Sequence, residues 1–237
     1  MYGISSFCLS SEPLASALDT LVALTDRIEI MDEGLHHLDS AEILHSFDCR
    51  FSFHAPSRGT NLASLLEPIR KASVEVMAQC MAIAGDVSGS VVLHPGYFAW
   101  PVERTKAEQQ LARSLAELSH ISNDHDVPFF VENMGDWEYF LFKTPEEFPL
   151  IGSARFALDV GHAHQMHCLD AFLPLPASHY HLHDNAGEVD SHLAVGEGTI
   201  DFSRVMKVVR ASGIDPIIEV KSLEAATLSI ERLDAIR

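Results

Sequence analysis

Residues 155–185 read RFALDVGHAHQMHCLDAFLPLPASHYHLHDN. A largely apolar run, Arg155–Asp159, stops on a carboxylate. A short helix-like stretch, Leu169–Phe172, follows, and a second run, His179–His183, carries imidazoles to its end. Strand, polar end, helix and strand again is the repeating unit of a parallel α/β sheet. The same unit recurs outward from here. Tyr2–Cys8, Arg27–Met31, Arg50–His54, Ser88–His94, Val127–Glu132 and Pro216–Val220 are further short runs rich in Val, Ile, Phe and Leu. The runs finish at or near Ser5 and Ser6, Glu29, His54, His94, Glu132, Asp159, His181 and Glu219. Eight such units favour closure into a (β/α)8 barrel of the TIM type, whose active site lies at the C-terminal ends of the strands.

The helix-like segments expected between the strands are Pro13–Leu24, Ser40–Phe47, Asn61–Ala84, Lys106–Ile121, Pro145–Leu150, Leu169–Phe172, Phe202–Ala211 and Leu223–Ile236. Pro56, Pro95, Gly96, Gly135, Gly161, Gly196 and Gly198 fall just after strand ends, in the loops that carry function in such a barrel. The 237 residues suit one barrel, so a single domain over 1–237 is expected. No apolar stretch is long enough for a membrane span, and the N-terminal residues lack the pattern of a secretory signal. Cys8, Cys49, Cys80 and Cys168 are scattered without a CxxC pair and read as reduced thiols of a cytoplasmic protein. The net charge of −18 repels a phosphate backbone and argues against duplex DNA as a partner.

Glu132, Asp159, His181 and Glu219 come from four different strands, and no comparable set of Lys or Arg stands ready to pair them. Three carboxylates and one imidazole suit a hard divalent ion such as Mn²⁺, Mg²⁺, Zn²⁺, Co²⁺ or Fe²⁺. His54 and His94 can bind a second ion with Glu132 as a bridge, or bond substrate directly. His162, Asp190 and His192 can bind a third, or order a loop and its substrate. His181 and His183 lie two apart on one strand and face the same way, so either can be the ligand. By the same rule Glu219 and Lys221 share a face, with Lys221 reaching substrate or a ligand acid. Arg58, after His54, can hold a phosphate or carboxylate. His36, His37, His45, His120, His125, His164, His167 and His179 read as surface histidines.

Six motifs in order, HxP at His54–Pro56, HPG at His94–Gly96, VEN at Val131–Asn133, LDVGHAH at Leu158–His164, HLHDN at His181–Asn185 and GEGTIDF at Gly196–Phe202, resemble the xylose isomerase-like barrel superfamily. That superfamily holds sugar isomerases and epimerases as well as AP endonucleases of the endonuclease IV type. Resemblance to the epimerase branch implies one ion on Glu132, Asp159, His181 and Glu219. It also implies proton exchange with substrate carbon by Glu132 and Glu219, and a hydrogen bond from His162 to a substrate oxygen. It makes His181 the ligand and His183 a pocket residue. The arginine that this branch often carries after the histidine ligand is replaced here by Asn185, Ala186, Gly187 and Glu188. Resemblance to the endonuclease branch implies three zinc ions. His54, His94 and Glu132 hold the first; Glu132, Asp159, His181 and Glu219 the second; His162, Asp190 and His192 the third. The first loop of that branch is glycine-rich, whereas SSFCLSSEP (residues 5–13) has neither glycine nor a basic residue.

The expected activity is therefore a metal-dependent sugar or sugar-phosphate isomerase or epimerase, with Zn²⁺ or Mn²⁺ at one to three ions per chain. An endonuclease IV-like phosphoester hydrolase with a trinuclear zinc site is the alternative. His183, Arg58 and Lys221 are the expected substrate contacts. The apolar loop residues Tyr97, Phe98 and Trp100 are the expected surface for self-association.

Overall fold

The computed structural model describes residues 1–236. Its parallel strands close into a barrel in chain order: β1 (Gly3–Ser5), β2 (Arg27–Met31), β3 (Arg50–His54), β4 (Ser90–Leu93), β5 (Phe129–Glu132), β6 (Arg155–Asp159), β7 (Ala177–Leu182) and β8 (Ile217–Ile218). Pairing of Gly3 with Ile217 and of Ile4 with Ile218 completes the ring. The helices around it are α1 (Leu14–Leu21), α2 (Glu67–Asp86), α3 (Arg104–His125), α4 (Val160–Gln165), α5 (Leu169–Phe172), α6 (Phe202–Ser212) and α7 (Leu223–Ala235).

Alternation along each strand sorts the side chains into two populations. Phe51, Phe53, Val91, Leu93, Phe129, Val131, Phe156 and Leu158 point outward into the large core beneath the helices. The intervening positions point into the barrel. Its floor is a separate apolar cluster of Val92, Phe130 and Ala157. Above that floor the inward positions are polar: Glu29, Ser52, His54, Glu132, Asp159, His179 and His181 are all buried. Most apolar burial thus lies outside the barrel, which leaves its upper interior free to concentrate ionisable groups.

Several element ends differ from expectation for local reasons. β1 stops at Ser5 because its side chain accepts a hydrogen bond from the Phe7 amide (3.3 Å) and starts a 3-10 turn over Ser6–Leu9. α2 begins at Glu67, not Asn61, with Pro68 in the first turn where its missing N–H costs nothing. The Asn61 amide oxygen instead accepts from the Ala63 and Tyr97 amides, each at 3.0 Å, tying two mouth loops together. The segments expected as helices near residues 40–47 and 145–150 are the 3-10 turns Glu42–Ser46 and Pro145–Ile151. α4 has no counterpart in the sequence reading. Asp159 caps it, accepting from the His162 amide at 2.6 Å.

Two of the histidines read as surface residues are buried. His36 contacts Ser6 Oγ at 2.9 Å, and His179 stacks on Phe130 at 5.2 Å. His179 shares strand parity with His181, so the two-residue period sends it inward. All four cysteines are free. Among the described residues no helix is long and apolar enough to cross a membrane.

α2 and α3 are joined by a fully buried arginine. Arg70 donates to both Glu67 oxygens (3.0 and 2.9 Å), to Glu117 (2.9 Å) and to Ser114 Oγ (3.1 Å). Arg70→Ala removes every one of these donors and opens a cavity. A loss of about 3 kcal/mol is expected in chemical denaturation, and a loss below about 0.5 kcal/mol would show that the network contributes nothing.

Candidate metal centre at the barrel mouth

Glu132, at the end of β5, is the hub of the site. Its Oε1 lies 2.7 Å from His181 Nδ1, and its Oε2 lies 3.0 Å from His94 Nε2 and 3.4 Å from His54 Nε2. His181 Nδ1 is also 3.0 Å from Glu219 Oε2 and 3.8 Å from Asp159 Oδ2. Glu132, Asp159, His181 and Glu219 are therefore gathered around one point, as their positions at four strand ends required. His54, His94 and Glu132 form a second group.

The third group forms where α4 and the loop after β7 meet. His192 Nε2 and His162 Nε2 approach Asp190 Oδ2 at 3.1 and 3.4 Å. His183 joins them, with its ring stacked on His192 at 3.9 Å and its Nε2 3.0 Å from Asp159 Oδ1. It is completely buried and does not line the cavity. Gly161 makes room for it, since a Cβ there would overlap the His183 ring. His192 holds a left-handed backbone (φ 47°), a conformation that costs free energy in a non-glycine residue and tends to collect at functional sites.

Hydrogen bonding behind the rings shows which nitrogens are available. His54 Nδ1 faces the Ala55 carbonyl (3.1 Å), His162 Nδ1 the Asn133 carbonyl (2.9 Å) and His192 Nδ1 the Glu219 carbonyl (2.9 Å). A carbonyl only accepts, so these nitrogens carry a hydrogen, and in the neutral rings the Nε2 lone pairs point into the site. There they meet carboxylate oxygens, which are also acceptors. Glu132 Oε2, Asp190 Oδ1 and His183 Nδ1 are buried without a hydrogen-bond partner. Carboxylate oxygens and ring nitrogens converging in this way could hold a divalent cation, which the mixed oxygen and nitrogen donor set suits.

With no ion among them, the carboxylates and imidazoles shift one another. Burial pushes the Glu132 carboxyl up, but the facing His181, His54 and His94 outweigh it and hold it well below the usual range. Burial pulls His54 down, yet Glu132 reverses this and pushes the ring up to about 9. At His94 burial wins, and the ring is held below its usual range.

The remaining expected site residues are placed differently. Arg58 sits on the rim, 90% exposed and 3.7 Å from Glu33. Lys221 is exposed, lines no part of the cavity and makes no ion pair among the described residues. β8 ends at Ile218, so the two-residue alternation that would align Lys221 with Glu219 does not reach it. Phe98 is buried with Arg104 above its ring, which leaves Tyr97 and Trp100 exposed in that loop. Glu29, one of the polar strand ends noted above, joins the site although it belongs to none of the ligand sets expected there. Its Oε1 lies 2.6 Å from His181 Nε2. Its place at the end of an apolar run was the available signal.

A closed parallel barrel with carboxylates and imidazoles converging at its C-terminal mouth defines the class. Residues 30–237 match the family model described as the xylose isomerase-like TIM barrel, and the chain belongs to that family. It is 30% identical over 239 residues to MJ1614, an uncharacterized protein of Methanocaldococcus jannaschii, covering 92% of this chain and 95% of that one. Among solved structures it resembles a D-tagatose 3-epimerase-like protein (TM-score 0.90, 28% identity, 99% of this chain and 96% of that one). It also shares its fold with the TTHB071 protein of Thermus thermophilus, a crystal soaked with ZnCl2 (TM-score 0.77, 22% identity, 100% and 98% coverage).

Proposed function

We propose that this chain is a divalent-metal-dependent epimerase or isomerase acting on an uncharged sugar. The observation that carries the reading is the placement of Glu132 and Glu219. They come from β5 and the end of β8, approach the same nitrogen of His181 at 2.7 and 3.0 Å, and both line the mouth cavity. Similarity to a D-tagatose 3-epimerase-like protein supports it. Glu132, Asp159, His181 and Glu219 would hold the ion. Bound there, it would polarise substrate oxygens and acidify the C–H beside the carbonyl. One glutamate takes that proton and the other returns one from the other side. His162, with its Nε2 turned into the cavity, bonds a substrate oxygen.

The lining argues for a neutral substrate over a sugar phosphate. The cavity holds about 1140 Å³ and is lined by Asp32, Glu33, Glu132, Asp190 and Glu219. Arg58 is its one Arg or Lys among the described residues, and Glu33 already pairs with it. Phe7, Tyr97, Trp137 and Phe140 supply an apolar wall against which the C–H face of a sugar can pack.

Incubation with a panel of free ketoses and their phosphates in D2O tests this. Deuterium is expected beside the carbonyl of a free ketose, lost on chelation and restored by Mn²⁺, Co²⁺ or Zn²⁺. Exchange that survives exhaustive removal of metal would sink the metal-dependent mechanism. The comparisons do not favour the alternative, a phosphoester hydrolase; the one observation on its side is that His54, His94 and Glu132, and His162, Asp190 and His192, also gather into groups able to hold an ion. Three zinc ions per chain together with phosphodiester cleavage and no deuterium exchange would select it.

A further inference from the structure

We propose that Glu29 is a positioning residue that dictates which ring nitrogen of His181 is presented to the metal. The inference rests on the metal-site reading above. Glu29 is completely buried inside the barrel on β2, where its register partner on β3 is Ser52. Its two oxygens are divided. Oε1 is 2.6 Å from His181 Nε2, while Oε2 accepts from Ser52 Oγ at 2.9 Å and lies 2.9 Å from His179 Nε2.

A carboxylate only accepts, so His181 Nε2 must carry hydrogen toward it. Nδ1 faces carboxylates as well, those of Glu132, Asp159 and Glu219; with an ion held among these three, the lone pair would be on Nδ1 and the hydrogen would stay on Nε2 toward Glu29. Ring packing keeps the imidazole from turning away: His54 stacks on one side at 5.9 Å and His179 meets it edge-on at 5.0 Å. Without the carboxylate, Nε2 has no other partner in the structure and the two neutral tautomers become competitive. A carboxylate behind a ligating histidine also makes it a stronger donor. Ser52 holds Glu29 from the far side through its hydroxyl.

The test is Glu29→Gln, which keeps size and can still accept one hydrogen bond but has no charge. Co²⁺ binding to the metal-stripped wild type and variant is followed by visible absorption and calorimetry, with thermal unfolding of the metal-free proteins alongside. Weakening of Co²⁺ affinity by about 10- to 100-fold, with an altered absorption band and an unchanged unfolding temperature, is expected. Affinity within about twofold of wild type and an identical spectrum would overturn the inference while leaving the metal site intact. Failure of the wild type to bind Co²⁺ would instead overturn the metal-site reading, and this inference with it. If the variant does not fold, ¹⁵N-resolved imidazole spectra of the Zn²⁺-loaded wild type decide. A proton on His181 Nε2 supports the inference, and a proton on Nδ1 overturns it.

Discussion

On the proposed function, Glu132→Gln is expected to lower turnover by about 10³-fold or more and to weaken metal binding, whereas Glu219→Gln is expected to lose about 10²- to 10⁴-fold in turnover and to leave the group of His54, His94 and Glu132 in place. The asymmetry follows from how the two carboxylates are used. Glu132 engages both oxygens, one toward His181 and one toward His94 and His54. A glutamine there must offer its NH2 group to one side. Turned toward the two Nε2 lone pairs, it fills the place of an ion; turned toward His181, it faces that ring with a group that cannot ligate. Glu219 meets only His181 Nδ1, through Oε2, and its backbone carbonyl still anchors His192. Removing its charge takes away a proton acceptor with less damage to the neighbouring ligand group. Steady-state rates on the substrate identified by deuterium exchange, with elemental analysis of each variant, measure both effects. Undiminished turnover in both variants would refute proton transfer by these glutamates.

Asp184→Ala costs about 4 kcal/mol of stability or more and disorders the third ligand group without touching it. Asp184 is completely buried, and its carboxylate organises the loop that follows β7. Oδ1 accepts from the Asn185 and Ile200 amides at 2.9 and 3.2 Å, and Oδ2 from the Gly196 and Gly198 amides at 2.9 and 3.0 Å. Gly198 passes so close that a Cβ would overlap Asp184 Oδ1 and the Asn185 carbonyl. Each backbone amide left without its partner costs about 1–3 kcal/mol where water cannot replace it. Asp184→Asn should fall between, because its oxygen satisfies one amide pair while its NH2 opposes the other. Denaturant unfolding ranks the three proteins, and metal titration reports on Asp190 and His192. An alanine variant within about 1 kcal/mol of wild type would mean that the loop is held by other contacts.

The strand positions and most of the ligand set are legible in the sequence for the same reason. A strand has a period of two and ends where its apolar run ends. Residues such as Glu132 and Asp159 can therefore be assigned to the barrel mouth from their immediate neighbours alone. The same rule covers His179, whose parity with His181 sends it inward, so reading it as a surface histidine neglects the rule. The rule overreaches at Lys221, which lies beyond the end of a two-residue strand. α4 is not legible because its start depends on the Asp159 carboxylate turning back to its own loop.

Local pattern by itself determined the alternation of elements, their closure as a barrel and the convergence of Glu132, Asp159, His181 and Glu219, because each rests on short-range periodicity and strand direction. Only the tertiary structure decided that Glu29 backs His181, that His183 packs under Asp159 away from the cavity, and that Arg58 lies exposed on the rim beside Glu33. Glu29 on β2 and His181 on β7 are not on neighbouring strands. They meet across the interior of the closed ring, where depth and side-chain reach are set by the stagger of all its strands together. No window of sequence carries that stagger, and so the choice of which imidazole nitrogen faces the site belongs to the fold as a whole.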